Sequence, residues 1–189
     1  MGLPKKQRKK YSTPVHPWQK AMIDEEKKLV EEYGFKNKKE IYKMRSILKG
    51  FSDQTKELIA SKTPQAEKER VALLKKLQRI GLINKTGTLD NILDISINDI
   101  MNRRLQTFVY KKGFARSINQ ARQFIVHEHI TVGGKKITTP SYLVNADEEN
   151  SIAFVANSKL SDEEHPERVI LTKKNPKPKK AVKNERNRK

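Results

Sequence analysis

The apolar residues of the first part of the chain recur at the three- and four-residue spacing of amphipathic helices. The first apolar stripe consists of Met22, Leu29, Val30 and Tyr33. Pro17 suits the first turn of a helix before this stripe, and Gly34 suits its end. The pattern predicts a helix that ends at Gly34.

Three further helices are predicted before residue 81. Asn37 and Glu40 have the spacing of a capping box, and the apolar face that follows holds Ile41, Met44, Leu48 and Phe51. Ser52 is expected to begin a short additional helix. Thr63 and Pro64 suit the N-cap and first position of a helix that ends at Gly81. Its apolar positions are Val71, Leu74, Leu77 and Ile80. These stripes are interpreted as core.

The pattern changes after a connector at residues 82–96. Ser96 and Asp99 form a box-like start for a helix to about Lys112, closed by Gly113. Ser117 and Gln120 start another helix, which is expected to reach about Glu128.

Short strand-like segments follow these helices. Residues 130–132 and 135–138 flank Gly133-Gly134, which predicts a β-hairpin with a two-residue turn. Further strands are expected at residues 142–144, 151–155 and 168–171. The chain is therefore predicted to have an α+β fold. Its expected parts are a basic N-terminal arm (1–16), a helical region (17–100), a compact helix–turn–helix–β-sheet domain with the following strands (101–171), and a basic C-terminal tail (172–189).

Charge narrows the choice of partner. The 189 residues include 41 Lys or Arg and 22 Asp or Glu, a net charge of +19. Self-repulsion opposes compaction, so the excess is most simply used to neutralise a polyanion, although an anionic membrane surface would also accept it. Residues 98–142 hold eight basic residues against two acids, whereas residues 143–169 hold seven acids against two basic residues. This zoning predicts one surface that faces RNA and another that is turned away.

The basic arm has no periodic apolar face. We expect phosphates to order it, while a solubilising tail is the alternative. Its cations are Lys5, Lys6, Arg8, Lys9 and Lys10.

A helical projection of residues 97–128 separates an apolar face from a polar one. Met101, Leu105, Phe108 and Val109 are expected to face inward, with Arg103, Gln106 and Tyr110 opposite and Arg104 and Lys111 at the flanks. On the next helix, Gln123 and His127 project outward near Gln120 and Arg116. Arg122 falls beside the apolar face, where it either supports the fold or extends to RNA. Gln120 is open between capping Ser117 and contacting RNA.

A sequence run in this region resembles the RNA-binding domain of the S-four family of small-subunit ribosomal proteins. The matching segments include residues 103–107, 109–117, 120–123, 126–127, 129–130, 132–135 and 140–144. Outside that domain, residues 9–11, Pro14, residues 16–18, residues 37–40 and residues 63–68 resemble the archaeal and eukaryotic branch of the ribosomal protein. Together the resemblance covers most of residues 4–155.

The resemblance implies an αL-like RNA-binding domain in a cytoplasmic ribosomal protein. It further implies early binding to small-subunit rRNA at a junction in the 5′ domain, close to the mRNA entrance. Neighbouring small-subunit proteins, and mRNA at the entrance, are the other expected partners; a membrane or DNA is not. The implied rRNA contacts are Arg103, Arg104, Lys111, Arg116, Ser117, Gln120, Arg122, Gln123, His127, Lys135 and Lys136.

Other kinds of chemistry find little support. The chain has no cysteine, so the zinc-binding cluster of many relatives is absent, and neither a cofactor nor a metal is expected. Residues 81–86 resemble a phosphate-binding loop only in their final Lys-Thr. His127 and His129 are two positions apart, and residues with that spacing do not share a face of a helix, so they are not expected to bind one metal ion. An RNA-modifying enzyme, or a membrane-surface or helicase-like role at the mRNA entrance, remain the alternatives to structural rRNA binding.

Overall fold

The computed structural model describes residues 8–162 and 165–168 and confirms the α+β class. The tail at residues 172–189 lies outside the described residues, as do residues 1–7 of the arm. The helices are α1 (Lys20–Tyr33), α2 (Lys38–Ala60), α3 (Pro64–Ile80), α4 (Asp90–Leu93), α5 (Ile97–Asn102), α6 (Leu105–Lys111) and α7 (Ile118–Val126). The strands are β1 (Ile130–Val132), β2 (Lys135–Lys136) and β3 (Ile152–Phe154).

The start of α3 matches the sequence prediction. The Thr63 side chain accepts a hydrogen bond from the backbone N–H of Ala66, and Pro64 occupies the first position, where no donor is needed. Gly81 ends the helix with a φ of 75°. Local signals were sufficient here because both ends of the helix are determined by residues within one turn.

Three predicted features of the first helices are wrong. Pro17 lies in a turn before α1, which begins at Lys20. The Asn37 side chain makes no capping hydrogen bond, so the predicted box with Glu40 does not form. No new helix begins at Ser52: α2 continues to Ala60, because its buried face extends through Thr55 and Leu58.

The helix predicted from Ser96 to Lys112 is interrupted at Arg103 and Arg104. The capping box of Ser96 and Asp99 is present, but α5 ends at Asn102 and Arg104 has an extended backbone. Arg104 instead pairs with Leu143 in an isolated β-bridge. This bridge is also all that forms at residues 142–144, where a strand was predicted. A long-range backbone pairing therefore divides the predicted helix into α5 and α6.

The hairpin is confirmed. Strand β1 lies between β2 and β3, and both pairings are antiparallel. Gly133 and Gly134 adopt φ values of 57° and 76°, which residues with a Cβ rarely adopt. Arg168 lies in a turn, and the rest of the strand predicted at residues 168–171 lies outside the described residues.

The described residues form two hydrophobic clusters. The first is built by α1 to α5 and includes Ile41, Leu77 and Met101, whereas the second is built by α6, α7 and the sheet around Leu105 and Ile125. The change of cluster occurs at the break between α5 and α6. Within the described residues, no helix combines the length and the apolar character needed to cross a membrane.

Candidate nucleic-acid interface

Helices α6 and α7 pack against each other and bury their apolar faces in the second cluster. Leu105 and Val109 of α6 face Ala121 and Ile125 of α7 within that cluster, and all four are fully buried. The opposite faces of the helices, the loop between them and the hairpin are left at the surface. The projection of the apolar residues made from the sequence is therefore confirmed.

Five exposed cations lie on this part of the molecule. They are Lys111, Lys112, Arg116, Lys135 and Lys136. Lys111 donates to Asn102 Oδ1 at 3.0 Å, Lys112 donates to the carbonyl of Glu149, and Lys136 lies 3.7 Å from a carboxylate oxygen of Glu128. Such exposed contacts, two hydrogen bonds to neutral oxygens and one ion pair, contribute little to stability, so these side chains can exchange their partners for phosphate.

Arg116 and Lys135 are the least engaged of these cations. Among the described residues, neither side chain makes an ion pair or a hydrogen bond, and both are exposed. Arg116 lies in the loop just before α7, and Lys135 lies just after the glycine turn. Both are therefore fixed near the surface by adjacent structure while their charges stay free.

Gln123 and His127 are exposed on or directly after α7, as the projection predicted. Ser117 caps the helix and accepts a hydrogen bond from the backbone N–H of Gln120. Gln120 accepts from the backbone N–H of Arg116 with its Oε1 and donates to the carbonyl of Glu167 with its Nε2. The side chain of Gln120 is thus occupied within the protein, which favours the structural alternative left open above.

Arg104 is not on the surface. Its side chain is only 1% exposed, and its Nη2 lies 2.6 Å from Glu40 Oε2. The guanidinium also lies over the ring of Phe35, 4.7 Å from the centroid. The expectation that Arg104 flanks an outward face is wrong, because the break before α6 turns this side chain toward α2.

Arg122 shares the same carboxylate. Its Nη2 lies 3.0 Å from Glu40 Oε1, and its side chain is 20% exposed. Glu40 therefore connects α2 with Arg104 and with α7, joining the helical region to the second cluster. Arg122 was expected either to support the fold or to extend to RNA. Its contact with Glu40 favours support of the fold.

Glu40 is electrostatically adapted to this position. Burial raises the pKa of the Glu40 carboxyl, but hydrogen bonds and charge attraction from Arg122 and Arg104 outweigh burial and lower its pKa below the ordinary value. The carboxylate is thus ionised at neutral pH. Sequence reasoning missed this role because the position of Glu40 three residues after Asn37 indicated a helix cap.

Arg103 is also used inside the protein. Its Nη1 lies 2.5 Å from Glu149 Oε1, its Nη2 donates to the carbonyl of Val144 at 2.9 Å, and its guanidinium lies over Phe108 at 4.8 Å. The outward position predicted for Arg103 on a continuous helix is not found, because the residue lies in the break.

Gln106 is fully buried, in contrast to the outward position expected from the projection. Its Nε2 donates to the carbonyls of Gly34 and Ile118, at 3.3 and 3.1 Å. The amide therefore links the turn after α1 to the start of α7. The projection failed because the helical region covers this side of α6.

A shallow hollow beside α7 brings in two residues that sequence reasoning did not select. Lys36 and Asn119 line it together with Arg122, Gln123 and His127. Lys36 reaches this place because Gln106 ties the turn after α1 to α7. The only available signal in the sequence was its positive charge, which many other lysines share.

The described part of the basic arm lies against α2. Arg8, Lys9 and Lys10 are exposed, whereas Lys5 and Lys6 fall outside the described residues. The backbone N–H of Ser12 donates to Ser46 Oγ at 2.9 Å, and Lys39 lies over the Tyr11 ring. The end of the arm is thus positioned by helix packing.

The residues that the structure describes contain no group of three or more His, Asp or Glu side chains placed to hold a metal ion. The Nδ1 atom of His129 lies 3.0 Å from the Ser158 hydroxyl, within hydrogen-bond distance.

Comparison with known proteins agrees with the resemblance stated above. The family model described as "S4 domain" matches residues 103–150. The chain is 47% identical over 170 residues to the small ribosomal subunit protein uS4 of Methanococcus maripaludis. The aligned region covers 89% of this chain and 96% of the relative. The chain is 48% identical over 174 residues to the uS4 protein of Methanococcus aeolicus, covering 92% and 98%. The chain therefore belongs to the family of the small ribosomal subunit protein uS4.

Proposed function

We propose that this chain is a structural, non-enzymatic constituent of the small ribosomal subunit in the cytoplasm and that it binds rRNA. The relatives carry the name of a small-subunit protein, and residues 103–150 match the S4 domain. The observation that carries the proposal is the outer surface of α6, α7 and the hairpin. We call it the cationic face, defined by Lys111, Lys112, Arg116, Gln123, His127, Lys135 and Lys136.

The chemistry of the cationic face suits a folded RNA backbone. Its cations can bind phosphates and release condensed counterions, while the Gln123 amide and the His127 ring can bond to sugar or base edges. The helices and the glycine turn that carry these groups are fixed by the second hydrophobic cluster. Because the backbone positions of the cations are set before binding, little ordering of the backbone is required when RNA arrives.

Arg103, Arg104 and Arg122 are assigned to holding this face in place. Each is bound to a carboxylate behind the surface. Ser117 and Gln120 similarly build the start of α7, which positions Arg116. The exposed arm residues Arg8, Lys9 and Lys10 supply additional cations, and Lys5 and Lys6 are proposed to extend this set.

Finer aspects of the role follow from the family resemblance and are proposals as well. The protein would bind early in assembly at a junction of the 5′ domain, close to the mRNA entrance. Neighbouring small-subunit proteins, and mRNA at the entrance, would be its further partners. Binding of the purified chain to protein-free small-subunit rRNA supports early assembly, whereas a requirement for other ribosomal proteins contradicts it.

The Arg116→Ala variant tests the cationic face. We expect weaker binding to protein-free small-subunit rRNA, and a log–log salt slope lower by about 0.7 to 0.9 if one phosphate contact is lost. The free energy of unfolding should change by less than about 0.5 kcal/mol, because the side chain is exposed. Filter binding at several salt concentrations, together with urea denaturation, measures both quantities.

The matched control is Lys68→Ala. It removes an exposed cation from α3, a helix of the helical region that lies outside the cationic face. An equal loss of affinity and of salt slope in both variants would show that net charge, rather than the cationic face, determines binding. Sedimentation of the tagged chain from a lysate tests the cellular role: we expect it with small subunits in moderate salt, and its absence there contradicts the proposal.

A further inference from the structure

A turn just before α1 exposes two large apolar side chains. Trp18 is 88% exposed and Val15 is 86% exposed, whereas Tyr33 and Phe35 are buried in the first cluster. Trp18 is also the single tryptophan of the 189 residues. Burial of an indole is strongly favourable, so such an exposed ring is typical of a surface that meets a partner.

The turn gives the backbone that carries the indole a defined position. The backbone N–H of Gln19 donates to the carbonyl of His16 at 3.4 Å, Pro17 fixes the backbone between them, and α1 begins at Lys20. Residues 15–19 line a shallow open hollow. A few residues earlier, the hydrogen bond from Ser12 to Ser46 attaches the chain to α2. The ring is therefore presented by a fixed turn.

The charge around the turn indicates the chemistry of the partner. Residues 8–23 contain four basic residues and no acid, and Asp24 is the first carboxylate after them. The four basic residues, all exposed, are Arg8, Lys9, Lys10 and Lys20. An apolar pocket on a protein could take an indole, but it would not account for four exposed cations close to it in the sequence. A nucleic acid needs both, because its bases stack on aromatic rings and its phosphates bind cations.

We propose that Trp18 stacks on an unpaired base of small-subunit rRNA while the exposed cations close to it in the sequence, Arg8, Lys9, Lys10 and Lys20, bind phosphates of the same RNA. The inference rests on the proposed rRNA binding and adds a second contact, separate from the cationic face. It also assigns a reason for the exposed turn, since Pro17 and the hydrogen bond from Gln19 to His16 constrain the backbone that carries the ring.

Intrinsic fluorescence tests the proposal directly, because Trp18 is the only indole. Protein-free small-subunit rRNA is titrated into the full chain at moderate salt. We expect the emission to be quenched in parallel with binding measured by filter retention, since a stacked base lies within van der Waals contact of the ring. Unchanged emission at saturating rRNA would overturn the inference.

Two substitutions separate stacking from simple apolar contact. Trp18→Leu should weaken binding roughly 5- to 150-fold, the range expected for the loss of one stacked base, and should leave the salt slope unchanged. Trp18→Phe keeps a flat ring and should retain most of the affinity. Leucine and phenylalanine variants that both bind like the wild type would contradict stacking and assign the indole to a protein neighbour instead.

The control variant Arg116→Ala distinguishes this inference from the proposed function. If Arg116→Ala weakens binding but Trp18→Leu does not, the proposal that the cationic face binds rRNA is supported and the proposal that Trp18 stacks on a base is wrong. If the wild-type chain does not bind rRNA at all, both proposals fail. Because Trp18 packs against neither hydrophobic cluster, its substitution should not change the free energy of unfolding.

Discussion

Arginines on the two sides of α6 and α7 have opposite environments. On the side that meets α2, Arg104 and Arg122 share the Glu40 carboxylate and are largely covered. On the cationic face, Arg116 is exposed and its side chain is free of partners among the described residues. The difference shows that net charge in the sequence overestimates the charge available to RNA, since part of it is neutralised inside the protein.

The two environments also give the arginines different physical tasks. A buried guanidinium loses its hydration and requires a carboxylate, hydrogen-bond acceptors or an aromatic face in exchange. An exposed guanidinium keeps its hydration until phosphate replaces it. The inward pair therefore fixes how the helical region meets the RNA-binding domain, and the outward cations are left to bind.

The largest effect is expected from Glu40→Gln. It leaves Arg104 buried without a counter-charge, so the free energy of unfolding should fall by about 3 kcal/mol, the lower end of the cost of breaking a buried ion pair. Urea denaturation measures this change. The control Glu31→Gln, at an exposed position of α1, should stay within about 0.5 kcal/mol. Similar values for the two variants would show that the inward pair does not hold the junction together.

A smaller effect is expected from exchanging arginine for lysine. Arg104→Lys loses the planar contact with Phe35 and the geometry of the bond to Glu40, so the protein should be destabilised by about 1 to 2 kcal/mol. Arg116→Lys should change stability by less than about 0.5 kcal/mol and retain most of the rRNA affinity. Thermal unfolding measures the stability of both variants, and filter binding measures their affinity for rRNA. If Arg116→Lys is less stable than Arg104→Lys, the assignment of Arg104 to the interior and Arg116 to the surface is contradicted.

The smallest change is expected on acidification. Because its partners lower the pKa of Glu40 in the folded protein, its stabilising contribution is present above the ordinary value of 4.5 and is lost as the pH falls through the lowered pKa. The stability gap between the wild type and Glu40→Gln should therefore be constant near neutral pH and shrink in acid. A gap that widens in acid would contradict the assigned ionisation. Denaturation curves from neutral pH to well below the ordinary value of 4.5 measure it.

Local signals predicted much of the fold correctly. The caps at Thr63 and Ser96, the end of α3 at Gly81 and the glycine turn of the hairpin all depend on residues close in sequence. The separation of α5 from α6 could not be predicted in this way. It depends on hydrogen bonds to Tyr142 and from Val144, some forty residues away.

The candidate site was predicted in part. The exposed positions of Arg116, Gln123, His127 and Lys135 agree with the helical projection and the hairpin. The projection placed Arg104 and Gln106 outside because it treated each helix as bounded by solvent. In the folded protein, α2 and the turn after α1 cover that side of α6.

The sequence by itself determined the α+β class, the excess of positive charge, the family and the glycine turn of the hairpin. These properties depend on composition, on short-range periodicity and on residues such as Gly133 and Gly134, whose backbone conformations are locally preferred. Only the tertiary structure decided which cations remain available for phosphate. That choice depends on whether a carboxylate distant in sequence, such as Glu40, comes within hydrogen-bond distance, and packing alone brings it there.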